Sequence, residues 1–391
     1  MAQRMTRRDL LVRSGLLIGG GALMGLLAAC GGGQPAQAPA AKPTEAPQPG
    51  APAAATSAPA ASGPAVKGGE PTVLKVTGWG GGWETLMKDT VYPMFEQQYN
   101  VKIETDTAFP FPPKLLASPK DKPIYDVLHS NTNEVQKAYD AGFLEKQSAY
   151  TTANIPNLAD AYDYAKAESL PGIAAFTSAI GIGFRTDKGL KPISSWNDLW
   201  DQSLGGEKAA YVITNNLAMT LLMLAGKLFG SGYQDLDAAF KAMEQLKPVK
   251  LVDFTGTMEK VLLSGEVKVG VIHDSGVYRH ANDDPVPPLD WVAPSEGTPA
   301  LEQVFSVTSG SSKKELAFAY INHFLSEPVQ KAVGEGVWYG LANKKVQLSG
   351  KFAGKVFDTP DKVAKLLQFD WKWYNANEDQ IVNRFNKVMQ G

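Results

Sequence analysis

A single cysteine in 391 residues, Cys30, leaves no possibility of an internal disulfide. The four histidines, at 129, 273, 280 and 323, have none of the spacings that gather a metal ion. There is no Gly-x-Ser-x-Gly elbow, no phosphate-cradling P-loop and no His-Glu-x-x-His, so the common hydrolase and nucleotide-dependent signatures are missing. Basic excess is also missing. The chain carries 38 Lys and Arg against 40 Asp and Glu, a formal charge of −2, and shows no basic stripe that would track a phosphate backbone. Nucleic acid is therefore not an expected partner.

Long apolar runs are scarce as well. The longest, Gly15 to Ala29, follows Arg4, Arg7, Arg8 and Arg13 and falls short of the ~20 residues that cross a bilayer, so it reads as an export signal over 1–29. Thr6-Arg7-Arg8-Asp9-Leu10-Leu11 resembles a twin-arginine export motif in part, and ordinary secretory export stays open. The run ends in Leu27-Ala28-Ala29-Cys30 ahead of three glycines, which resembles a lipobox. That resemblance implies cleavage before Cys30 and lipidation of its thiol, with the membrane reached only through this anchor. Loss of four arginines and one aspartate with the signal would leave 34 basic against 39 acidic side chains, a charge of −5.

Residues 30–70 are dominated by Ala, Pro, Gly and Ser and offer too little apolar surface to offset the entropy of ordering; a tether is expected. From 71 to 391 the length suits a large core or two lobes. Thr72 to Trp79 reads as a strand, Trp83 to Tyr99 as a helix bent at Pro93, and Val101 to Thr105 as a second strand. The pattern recurs at Tyr125 to His129, Ala174 to Thr186, Ala209 to Thr214, Val267 to Asp274 and Trp291 to Pro294, with helices at Leu217 to Phe229 and Lys313 to Leu325. The fold class expected is α/β, with parallel sheets.

The order of motifs resembles the extracellular solute-binding proteins of ABC importers, in their polyamine and iron-type branch. The pieces are Tyr125-Asp126-Val127 with Ala141-Gly142-Phe143-Leu144; Gly181-Ile182-Gly183-Phe184-Arg185-Thr186-Asp187; Ser195-Trp196-Asn197-Asp198-Leu199-Trp200-Asp201; Leu263-Ser264-Gly265-Glu266-Val267; Trp291 to Gly297; and Ala317 to Pro328. The resemblance implies two lobes joined by crossing strands near 174–184 and 294–308, with ligand clamped between them by hinge closure. Lobe 1 is expected over about 71–176 plus 300–345, and lobe 2 over about 177–299 plus 346–391. The implied partners are a small-molecule solute and the permease of the importer, with the protein acting as a monomer outside the membrane and using no cofactor.

Ligands of open α/β sheets sit beyond the carboxyl ends of strands. That rule selects Trp79 and Trp83, flanking three glycines after the first strand; Asn131, Thr132 and Asn133; Asn215 and Asn216; and Asp274 with Tyr278. Glu302 and Tyr339 complete the candidate set. Each has a structural alternative, core packing for the indoles and helix capping for the amides. The polyamine branch needs carboxylates at positions that fall here on Asn216, Met219, Leu301 and Gln303, and the iron branch needs paired tyrosines where only Tyr339 stands. Both ligands are disfavoured, leaving a neutral or anionic organic solute. A structural surface lipoprotein remains an alternative, and a secreted hydrolase a weaker one.

Overall fold

The computed structural model describes residues 69–357 and 359–391. The export segment, Cys30 and nearly all of the tether expected from the sequence lie outside them. Eleven strands run in chain order: β1 (Thr72–Thr77), β2 (Val101–Asp106), β3 (Val127–Asn131), β4 (Ile173–Arg185), β5 (Lys208–Tyr211), β6 (Lys250–Val252), β7 (Val269–His273), β8 (Leu289–Val292), β9 (Thr298–Val307), β10 (Gly340–Leu341) and β11 (Leu366–Leu367). The helices are α1 (Gly82–Leu86), α2 (Tyr92–Tyr99), α3 (Pro112–Leu116), α4 (Thr132–Asp140), α5 (Asn216–Phe229), α6 (Leu236–Leu246), α7 (Thr255–Ser264), α8 (Asp274–Tyr278), α9 (Lys314–Phe324), α10 (Glu327–Val337), α11 (Pro360–Val363), α12 (Trp371–Ala376) and α13 (Glu378–Met389). Short 3-10 turns connect several of them.

Two parallel groups of strands are stitched together by antiparallel ones. β2, β1 and β3 are parallel neighbours, as are β6, β5 and β7. Between the groups lie β9 and β4, in the order β2-β1-β3-β9-β4-β7-β5-β6. The thirteen residues of β4 change partner midway: Ile173 to Ala179 pair with β9, and Ile180 to Phe184 pair with β7. β9 is shared in the same way, because Thr298 and Pro299 pair with β11 whereas Ala300 to Phe305 pair with β4. Ala179 and Ile180 are thus where the chain leaves one sheet for the other.

Packing follows the same division. One core forms around Leu74, Phe95, Phe176, Phe305, Phe324 and Trp338, extended by a cluster that contains Phe111, Leu128, Val135 and Ala138. The other forms around Trp196, Tyr211, α5, Phe240, Ile272, Trp371 and Phe385. Helix α5 shows why the second core holds. Asn215 accepts a hydrogen bond from the Leu217 N–H at 2.9 Å, a cap that starts the helix, and Gly230 ends it. Leu217 to Gly226 are all buried, and each large apolar side chain among them contributes ~1.5–3 kcal/mol.

The expected helix from Trp83 to Tyr99 is present but not uniform. Pro93 offers no N–H to the preceding turn, and the chain passes through a wide π turn, Met87–Val91, between α1 and α2. The strand expected at 125–129 is displaced to β3, Val127–Asn131, because Asp126 uses its carboxylate locally: it accepts from Lys75 N at 2.8 Å, Ser311 Oγ at 2.7 Å and Lys313 Nζ at 2.9 Å. No described helix is long and apolar enough to cross a membrane.

Candidate functional site

The carboxyl ends of β1, β2 and β3 release loops carrying Trp79, Phe109 with Phe111, and Asn131; those of β5, β6 and β7 release Asn215, Phe254 and Asp274. The two groups of loops meet. The Asn216 amide donates to Asn133 Oδ1 at 2.8 Å, joining the first turn of α5 to the first turn of α4. The middle of β4 and β9, with Thr177, Ser178, Glu302 and Gln303, forms the floor between them.

The first wall is aromatic. Trp79 is half-buried; its indole N–H donates to Gln303 Oε1 at 2.6 Å, and its ring lies 5.8 Å from Phe111 and from His129 and 6.1 Å from Phe109. Trp83 goes deeper, 5 % exposed, between His129, Phe176, Phe324 and Tyr339. Its indole N–H is buried without a partner. Asn131 sits at the N-terminus of α4 without capping it; its side-chain oxygen accepts from Gln303 Nε2 at 3.2 Å. Thr132 is buried, and its hydroxyl donates to Glu302 Oε2 at 2.8 Å. Tyr339 packs its ring 5.8 Å from Trp83; burial first, then the negative charges of Asp274 and Glu259 against the opposing Arg279, push its phenol up to about 12.

The second wall carries the charge. Glu259, on α7, is ion-paired with Arg279 through Oε2, with His280 at 3.6 Å from the same oxygen, while Oε1 is buried without a partner. Burial would raise this carboxyl, but His280 and Arg279 hold it below its ordinary value. The Tyr211 hydroxyl, at the end of β5, is raised by burial and feels both Glu259 and Arg279. Asp274 is fully buried at the start of α8. Its Oδ1 accepts from the N–H of Ala179 at 3.1 Å and of Ser275 at 2.8 Å, and burial pushes its carboxyl up to about 7 against those bonds. His273 Nδ1 lies 2.7 Å from Ser275 Oγ, which is 3.2 Å from Ser178 Oγ on β4.

Most of the residues singled out in the sequence therefore converge on the two walls and the floor, but they are not equivalent. Trp79, Trp83, Asn131, Thr132, Glu302, Tyr339 and Asp274 line or underlie the junction. Asn133 and Asn216 bind each other. Asn215 caps α5 and donates to Asp253 O at 3.1 Å. Tyr278 turns away, with its ring 6.0 Å from Trp291 and 6.2 Å from Trp338, along a groove of about 700 Å³ behind the crossing strands that also includes Lys355, Phe357 and Lys365. Sequence reasoning missed Glu259 and Arg279. Both lie inside helical stretches, and nothing in their local pattern separates them from a solvated face. Among the described residues no three His, Cys, Asp or Glu side chains gather as a metal site would need.

Residues 91–359 match the family of bacterial extracellular solute-binding proteins. An ABC transporter protein from Clostridium perfringens ATCC 13124 is 27 % identical, with a TM-score of 0.67 over 81 % of this chain and 99 % of that one. An extracellular solute-binding protein from Bordetella parapertussis is also 27 % identical, with a TM-score of 0.66 over 81 % and 98 %. The fold alone is shared with the periplasmic binding protein AfuA from Actinobacillus pleuropneumoniae, solved with fructose-6-phosphate bound, at 20 % identity and a TM-score of 0.63 over 82 % and 98 %. The chain matches no curated protein sequence at a significant level. With two cores, two shared strands and a family match over most of its length, the chain belongs to the bacterial extracellular solute-binding proteins and has their two-lobed fold, capturing a small solute for an ABC transporter.

Proposed function

We propose that the solute is a neutral or anionic organic molecule, held between the walls by aromatic rings, amides and hydroxyls, and that the protein performs no catalysis on it. The observation that carries this reading is the state of the three buried carboxyls at the site. Glu302 accepts from Thr132, Glu259 is paired with Arg279, and Asp274 is raised to about 7. A di- or polyamine would need free counter-charges, and leaving an ammonium buried without one costs several kcal/mol. Arg279 and the uncapped N-terminus of α4 favour negative charge instead. AfuA, with its bound sugar phosphate, offers a parallel within the fold.

The test is a thermal-shift screen of the full chain against polyamines, amino acids, organic acids, sugars, sugar phosphates and metal ions. A solute at 100 times its dissociation constant adds ~2.7 kcal/mol to stability, a clear rise in melting temperature. A response confined to polyamines would refute the ligand class. Silence across the panel would favour a structural surface lipoprotein.

The rest of the proposal concerns the setting. We place lobe 1 at about 71–176 plus 300–345, and extend it past the boundary expected from the sequence, because Val346, Leu348, Phe352 and Val356 pack in the first core. Lobe 2 then takes about 177–299 and the segment from near 360. Export through residues 1–29, a tether over 30–70 and a lipid on Cys30 would hold a monomer at the outer face of the membrane, presenting solute to the permease. Replacing Cys30 by serine is expected to move the protein from the membrane fraction to the soluble exported fraction. Retention at the membrane in that variant would remove the anchor from the proposal.

A further inference from the structure

We infer that α4, together with the C-terminal helices α12 and α13, forms a latch that holds the two lobes closed and so sets the affinity for solute without touching it. The first-lobe side is one helix. Val135 and Ala138 of α4 lie in the first core, and Asn133 and Lys137, four residues apart and so on one face, are turned to the other lobe. The second-lobe side is equally fixed. Trp371, Tyr374, Ile381, Phe385 and Met389 anchor α12 and α13 in the second core.

Four contacts cross between them. Asn216 donates to Asn133 Oδ1 at 2.8 Å, and Asn133 Nδ2 reaches Met219 Sδ at 3.5 Å. Asn375, in α12, donates to the Asn133 backbone carbonyl at 3.1 Å. Lys137 Nζ donates to Glu378 Oε1, at the start of α13, at 2.7 Å, and Glu134 supports the same ammonium from 3.4 Å. Asn133 is only 1 % exposed, and the Lys137 and Glu378 side chains are 24 % and 30 % exposed, so water competes weakly for these bonds. The surrounding charges raise Lys137, against the effect of its burial.

Opening about β4 and β9 must break all four contacts, whereas it leaves each core intact. They therefore belong to the closed state alone, and a closed-only contact shifts the balance of states by its full net value. Apparent affinity follows the fraction of molecules able to bind or retain solute, so weakening the latch reduces affinity in proportion. The two amides first read as candidate solute contacts, Asn133 and Asn216, act here on each other.

The experiment needs no solute, so its outcome is independent of the ligand class proposed above. The full chain with Cys30→Ser carries spin labels at Lys102→Cys in β2 and Lys241→Cys in α6, both exposed, and the interlobe distance distribution is measured by double electron–electron resonance. Without the latch substitutions, a dominant short-distance population is expected. Lys137→Ala with Asn375→Ala should raise the ratio of long to short distances about tenfold, as loss of one net hydrogen bond and one part-buried ion pair implies. Glu378→Gln, nearly isosteric and far from either core, should raise it about twofold to threefold and guards against misfolding of the double variant. Distributions that superimpose before and after these changes would overturn the latch, as would a long-distance population that already dominates before them.

Discussion

Gly181→Ala is expected to cost about 3 kcal/mol or more, although adding one methyl group to an extended strand ordinarily stabilises by ~0.4–1 kcal/mol through the unfolded chain. The reason is space. A Cβ at this position would stand 2.4 Å from the carbonyl oxygen of Val292 and 2.5 Å from the Trp291 ring. Val292 belongs to β8, which pairs with β4 at Ile182, one residue along, so the backbone cannot give way without breaking the ladder. Trp291 is no freer, since its indole N–H donates to Ile272 O at 3.0 Å and its ring packs on Tyr278. Gly206→Ala makes the control: nothing lies within 4 Å and its φ is not positive, so that change should stay within ~0.5 kcal/mol. Chemical denaturation of both variants separates the cases. A neutral Gly181→Ala would mean that β8 and Trp291 repack freely, and that the close seating of β4 beside the hinge is not a constraint.

That position also shows how far the sequence could be read. Gly181 and Gly183 were legible as part of a motif, and the strand through them as a run of small and β-branched residues, because a strand buried on both faces needs continuous apolar sequence. The division of β4 between two sheets was not legible from periodicity, since Ala179 and Ile180 look like any other pair; only the resemblance to the family implied a crossing there. β9 was harder still. Thr298 to Val307 holds Glu302 and Gln303 in its centre and begins beside Pro299, so its pattern hides a fully buried strand. β6, three residues long, gave no signal at all.

At the site, strand-end reasoning located Asn131, Asn215 and Asp274 because a loop following a strand is visible in sequence. It did not separate side chains available to a solute from those already used. Asn133 and Asn216 have the same composition signal as Asn131, and only tertiary packing shows that they bond to each other. Glu259 and Arg279 fell outside the rule because they stand within α7 and just after α8 and come together only when α7 and α8 pack.

The acid stability of the folded protein should depend on His129 to an extent that a single substitution reveals. This imidazole is 1 % exposed, stacked 4.0 Å from the Phe305 ring at 6°, and burial lowers it from 6.5 to about 3, with a hydrogen bond from Gln303 opposing. The unfolded chain takes up its proton near pH 6.5 and the folded chain does not, so the stability due to the neutral ring is complete above pH 6.5 and is lost as pH falls toward 3, at ~1.4 kcal/mol per pH unit. His273, lowered to about 4 mainly by burial, acts in the same direction, and Asp274, raised to about 7 by burial, acts in the opposite one, because there the folded state holds the extra proton. Between pH 4 and 6.5 these two adjacent residues nearly cancel, which leaves His129 unopposed. His129→Phe keeps a ring against Phe305 and removes the titrating group. Relative to its own value at pH 7, the variant should be more stable than the original by about 2 kcal/mol at pH 5, the product of ~1.5 pH units and that slope. Urea denaturation at a series of pH values measures the difference directly. Parallel pH profiles for the two proteins would show that the His129 proton is bound equally in the folded and unfolded chains, and that the aromatic wall beside Trp79 and Trp83 admits water.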